Sequence, residues 1–160
     1  MRFFSILAIC ALSACLLVGA NISTQPAMAS TTAEINIHPD TLNLKSGGQW
    51  ITVYIGLAEP FNVSDVEIST VYLGNIVPAE SDAKYGFVKN PAIHEVDGGR
   101  QEVMVKFDRH AVIDYVWLEL YHMGIGQLPK GGVEIELTIT GELADGTLFE
   151  GSDEIRVTNP

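Results

Sequence analysis

Four histidines, His38, His94, His110 and His122, are the first residues to weigh for chemistry. A transition-metal site read from sequence needs ligands at H-x-H or H-E-x-x-H spacing, and neither occurs. His110 and Asp114 stand four apart, which suits a surface hydrogen bond better than a ligand pair. No G-x-S-x-G elbow, phosphate-cradling P-loop or G-x-G-x-x-G turn is present. Gly124-Ile125-Gly126 follows a helical pattern instead of opening one, so it reads as a helix stop. Asp and Glu number 20 in the chain. Pairs at glycosidase separation therefore arise by chance, and a carboxylate-based hydrolase is the weakest of the functional readings. Seven aromatics, Trp50, Tyr54, Tyr72, Tyr85, Tyr115, Trp117 and Tyr121, could include a sugar-stacking platform, although aromatics at strand spacing more often pack across strands. Trp117 and Tyr121 stand out as a candidate ligand- or partner-binding pair. Their i, i+4 spacing puts them together on the helix side away from Val112 and Val116. Asn62-Val63-Ser64 matches a glycosylation sequon, which matters only in a host that glycosylates.

The elements that must position these residues are mostly strands. Period-two alternation marks residues 33–38, 42–44, 50–57, 66–73, 102–107, 133–140 and 147–157, with weaker signals at 85–88 and 92–96. Pro39-Asp40, Ser46-Gly47-Gly48 and Asp97-Gly98-Gly99 punctuate them, and Ala144-Asp145-Gly146 predicts a hairpin between the last two. The 50–57 run, WITVYIGL, is β-branched and aromatic enough for a central strand. One segment departs from this period. Val112, Val116, Leu120 and Met123 fall on one side of a helix, Asp114 falls on the other, Asp108 suits an N-cap and Gly124 suits the C′ position. The spacing predicts one helix over residues 109–123. The expected fold is all-β: an antiparallel immunoglobulin-like β-sandwich of seven to nine strands with one amphipathic connecting helix.

Formal net charge is −11, and of the nine Lys and Arg residues one, Arg2, precedes residue 30, whereas every Asp and Glu follows it. Such a surface repels phosphate backbones, so no nucleic-acid partner is expected. Both cysteines, Cys10 and Cys15, lie in an apolar run from Phe3 to Ala20. Arg2, this run and Ala27-Met28-Ala29 read as a signal peptide over residues 1–29, cleaved after Ala29, with a single domain from residue 30 to 160. Two alternatives stay open: Leu12-Ser13-Ala14-Cys15 resembles a lipobox that would lipidate Cys15, and the apolar run is long enough for an uncleaved anchor. Export to a secreted or periplasmic location is the common outcome, with no membrane insertion once the leader is removed.

The stretch Ile37-His38-Pro39-Asp40-Thr41-Leu42-Asn43-Leu44-Lys45-Ser46, followed by Gly48, Trp50 and Ile51-Thr52-Val53-Tyr54-Ile55, resembles an uncharacterised family of secreted β-sandwich modules. Val77-Pro78-Ala79-Glu80, Val103-Met104-Val105-Lys106-Phe107-Asp108-Arg109 and the ending from Thr140-Gly141-Glu142-Leu143 to Ile155-Arg156-Val157 extend the likeness over nearly all of the chain beyond the leader. The resemblance implies an appendage of larger extracellular proteins without a catalytic role. It also implies an acidic D-x-D-G-D-G loop before the VMVKFD strand, and here this sequence departs from the pattern. Glu95 and Asp97 keep two carboxylates, Gly99 occupies the third place and Arg100 adds a positive charge; Glu102 could swing in. Glu95, Asp97 and Glu102 are thus a degenerate calcium set, expected to bind weakly at most, because calcium wants more oxygen ligands than remain. The expected function is a non-catalytic exported binding or structural module for a protein or glycan partner, with no cofactor. A carbohydrate- or calcium-binding module is the alternative.

Overall fold

The computed structural model describes residues 29–96 and 99–159. Residues 1–28 of the predicted leader, Cys15 among them, and Asp97 lie outside the described residues. Among the described residues nine strands and two α-helices follow one another: β1 Ser30–His38, β2 Thr41–Asn43, β3 Trp50–Leu57, β4 Tyr72–Leu73, β5 Val77–Pro78, α1 Gly86–Lys89, β6 Ile93–Val96, β7 Arg100–Asp108, α2 Arg109–His122, β8 Val133–Glu142 and β9 Leu148–Thr158. The protein is mostly β, as alternation demands. Ala33, Ile35 and Ile37 of β1, Ile51, Val53 and Ile55 of β3, Val103, Val105 and Phe107 of β7, and Ile135, Leu137 and Ile139 of β8 all turn inward to one core.

The strands form one curled sheet in the order β5-β4-β8-β9-β1-β3-β7-β6, with β2 added beside β9. β3 is central as predicted, between β1 and β7, and β8 and β9 form the predicted hairpin over ten paired positions. β1 joins the two limbs of the sheet. Its first three residues pair with β9, and Ala33 to His38 pair with β3. The change of partner happens over Gly151, where a Cβ would sit 2.2 Å from the Ala33 carbonyl oxygen. Only glycine lets the two backbones come so close. Beyond that point the Asp153 side chain accepts a 2.8 Å hydrogen bond from the Ile37 amide, satisfying a donor that has left its β9 partner. The sheet is not purely antiparallel: β1 and β2 both run parallel to β9.

Helix α2 forms where its caps were read. The Asp108 side chain accepts from the amides of His110 and Ala111, at 2.9 and 3.0 Å. At the far end Gly124 takes φ +73°, its amide donates to the Tyr121 carbonyl, and Ile125 donates to Leu120. This pair of bonds is the Schellman closure. Val112, Val116 and Leu120 are fully buried, but Met123 is exposed, contrary to its expected place on that side. The helix rotates so that the fourth inward residue is Arg109, at the opposite end. Its guanidinium donates to the Asn43 carbonyl and the Ser46 hydroxyl, pinning the β2–β3 loop to the start of α2.

Two segments differ from the alternation reading. Of residues 66–73 only Tyr72–Leu73, β4, is strand: two short 3-10 turns, Val63–Asp65 and Ile68–Thr70, precede it. Local side-chain bonds compete successfully with the ladder here. Asn62 caps the first turn through the Ser64 amide, and the Thr70 hydroxyl donates to the Glu67 carbonyl. Residues 85–88 lie in the single helical turn α1 and its flank.

Candidate functional site

The outer face of α2 is the first site to follow from this frame. The inner stripe of Val112, Val116 and Leu120 is spent on the core, yet Trp117 is 38% and Tyr121 78% exposed. Leu118, also exposed, lies one turn from Tyr121 and widens the predicted pair into a patch of three. The helix is therefore apolar on two sides, not amphipathic as expected. Asp114 and Glu119 are the acidic residues of this helix, and Arg109 is its single Lys or Arg. On the flank, Tyr115 lies over the β4–β5 turn, and its hydroxyl is held above its ordinary pKa by burial and by the nearby Glu119 carboxylate.

Of the candidate cation set, Glu95 and Glu102 are among the described residues. Glu95 pairs with Gln101, and His94 pairs with Glu102, on the β6–β7 hairpin. Successive strand residues point to opposite faces, so the Glu95 and Glu102 side chains lie on opposite sides of the ribbon. The third member, Asp97, lies outside the described residues. Arg100 reaches away from the loop to Glu34 of β1 in an exposed ion pair. Of the histidines, His38 sits 3.2 Å from Asp40 and His122 3.7 Å from Glu119. Among the described residues no three His, Cys, Asp or Glu side chains gather to hold a metal.

Two further surfaces gather aromatics that the sequence offered as stacking candidates, Trp50, Tyr54 and Tyr85 on one and Tyr72 on the other. On the outward face of the β1-β3-β7-β6 limb, the Trp50 ring meets Tyr85 and Phe87 edge-on at 5.1 and 5.5 Å, and Tyr54 stands between His38 and His94. These rings mostly cover one another, and Lys106 lies 5.5 Å over Phe87. On the other limb an open trough of about 980 Å³ crosses the outward face of β4, β8, β9 and β1. Its rungs follow from the register. Tyr72 stands opposite Thr140, Thr140 opposite Glu150, and Glu150 opposite Thr32, so four neighbouring strands present aromatic, hydroxyl, carboxylate and hydroxyl side by side.

Compared with known protein families, curated proteins and solved structures, the chain matches none. The trough's signal was present in the alternation of β8 and β9, whose outward positions read Thr138, Thr140, Glu142 and Leu148, Glu150, Ser152. Its assembly was not legible, because it depends on β1 lying beside β9 and on Tyr72 reaching the β8 register. No helix among the described residues is long and apolar enough to cross a membrane.

Proposed function

We propose that this protein is a non-catalytic, exported binding module that engages a protein partner through the outer face of α2. The observation that carries this reading is the exposed Trp117–Leu118–Tyr121 patch on a helix whose opposite side already fills the core. Large aromatics left in water on a well-capped helix cost solubility, and they favour burial against a partner. Charge complementarity selects the occupant. Asp114 lies on the same side as the patch, one turn from Trp117, and net charge is −11, so the partner carries basic side chains around an apolar anchor. A second copy of this chain would bring like charges together.

The opposed directions of Glu95 and Glu102 favour a protein partner over calcium. We also read the curled sheet as an immunoglobulin-like sandwich opened at β1, since its two limbs share one core and one strand. Export and removal of residues 1–29 belong to the same reading.

A photo-crosslinker at position 118 of the exported protein, followed by reconstitution with the purified captured partner, tests the proposal. Trp117→Ala and Tyr121→Ala are each expected to weaken binding by about tenfold or more with melting unchanged, and affinity should fall with added salt. Unchanged affinity in both variants, or concentration-dependent dimerisation abolished by them, would overturn it.

A further inference from the structure

We infer that the trough across β4, β8, β9 and β1 is a second binding site, for a neutral glycan. The inference deepens the reading of the chain as a binding module but uses a different face from α2. The chemistry of the lining points to this ligand. The Tyr72–Thr140–Glu150–Thr32 rung spans three strand gaps, roughly 14 Å, which accommodates a short oligosaccharide. Tyr72, 37% exposed at one end, offers a ring face on which the apolar side of a sugar can lie. Asn75 holds the neighbouring turn at φ +59°, and its Oδ1 accepts a 2.9 Å bond from the Thr140 hydroxyl.

That bond orients the Asn75 side chain while its amide nitrogen has no partner among the described residues. The carboxylates of Glu142 and Glu150 likewise have no hydrogen-bond or ion-pair partner among the described residues. A sugar hydroxyl can donate to either carboxylate, and such charge-assisted bonds are the stronger kind. No Lys or Arg lines the trough, so phosphate, sulfate and acidic glycans meet only repulsion. A peptide adding as an extra strand needs a sheet edge, and the trough is a face.

Calorimetric titration of the purified protein with cellohexaose, xylohexaose and mannohexaose tests the site, with hexagalacturonate and trilysine as comparison probes. At least one neutral hexasaccharide should give saturable binding that is insensitive to salt. Tyr72→Ala should weaken it by about tenfold or more and Glu150→Gln by about fivefold. Glu150 is exposed and the Gln replacement isosteric, so this second variant keeps the test independent of any folding defect at β4. Trp117→Ala should leave sugar binding intact, which separates this site from the partner face. Absence of binding by all three neutral sugars, equal binding in both trough variants, or salt-sensitive binding of trilysine in their place would overturn the inference. Cleavage of a bound hexasaccharide would overturn the non-catalytic reading and leave the trough as the place where it happens.

Discussion

Asp145 shows how much one side chain does at a turn. Its carboxylate accepts a 2.8 Å bond from the Thr147 amide, and that contact is the first cause holding its pKa below the usual 3.8. A carboxylate with a depressed folded pKa contributes stability that is present above its unfolded value and is lost as pH falls through the folded one. The expected outcome is an acid limb, below about pH 4, that is less steep in Asp145→Asn than in the parent when unfolding by urea is followed against pH. Titration of the Asp145 carboxyl by NMR gives the direct check. Asp82 is depressed for a different first reason, the hydrogen bond from the Lys84 side chain at 2.7 Å, which needs no turn geometry.

At the scale of the element, α2 is placed by its contact with the β4–β5 turn as much as by its own stripe. Gly74 and Asn75 both have positive φ, and the Ile76 amide closes the turn on the Leu73 carbonyl. The Tyr115 ring occupies the space where a Gly74 side chain would be, with Cζ 2.1 Å from an ideal Cβ. Gly74→Ala therefore meets both a left-handed backbone and a displaced helix, and is expected to cost about 3 kcal/mol in urea unfolding. A loss below about 0.5 kcal/mol would mean that Tyr115 swings away freely and that the helix is not seated there.

For the whole molecule, the decisive place is the seam where β1 passes from β9 to β3. Gly151 permits the crossing, and Asp153 receives the amide of Ile37 that the crossing would strand. Asp153→Ala leaves that part-buried donor without its acceptor and is expected to cost about 1–2 kcal/mol, with Asp153→Asn recovering most of it. Hydrogen exchange at the Ile37 amide should accelerate in the alanine variant more than at Val53 of β3. Equal exchange at Ile37 in parent and variant would show that water serves the seam as well as Asp153 does.

Sequence alone determined the parts whose cause is local. Alternation in 50–57, 102–107, 133–140 and 147–157 named the strands, because burial of one sheet face imposes period two wherever a strand lies. Asp108 and Gly124 bounded α2, because the orphan amides and carbonyls of a helix end must be met within a few residues. Trp117 and Tyr121 were legible as outward for the same local reason, whereas Leu118 was hidden among apolar neighbours. Residues 66–73 misled, because Asn62 and Thr70 offered their backbone nearer partners than a distant strand could. Only the tertiary structure set Glu95 and Glu102 on opposite faces, since that depends on the Glu95–Gln101 register and not on spacing. Only the tertiary structure brought Tyr72, Thr140, Glu150 and Thr32 into one rung. Their order across four strands is decided by which backbones hydrogen-bond, and a chain read end to end carries no record of that.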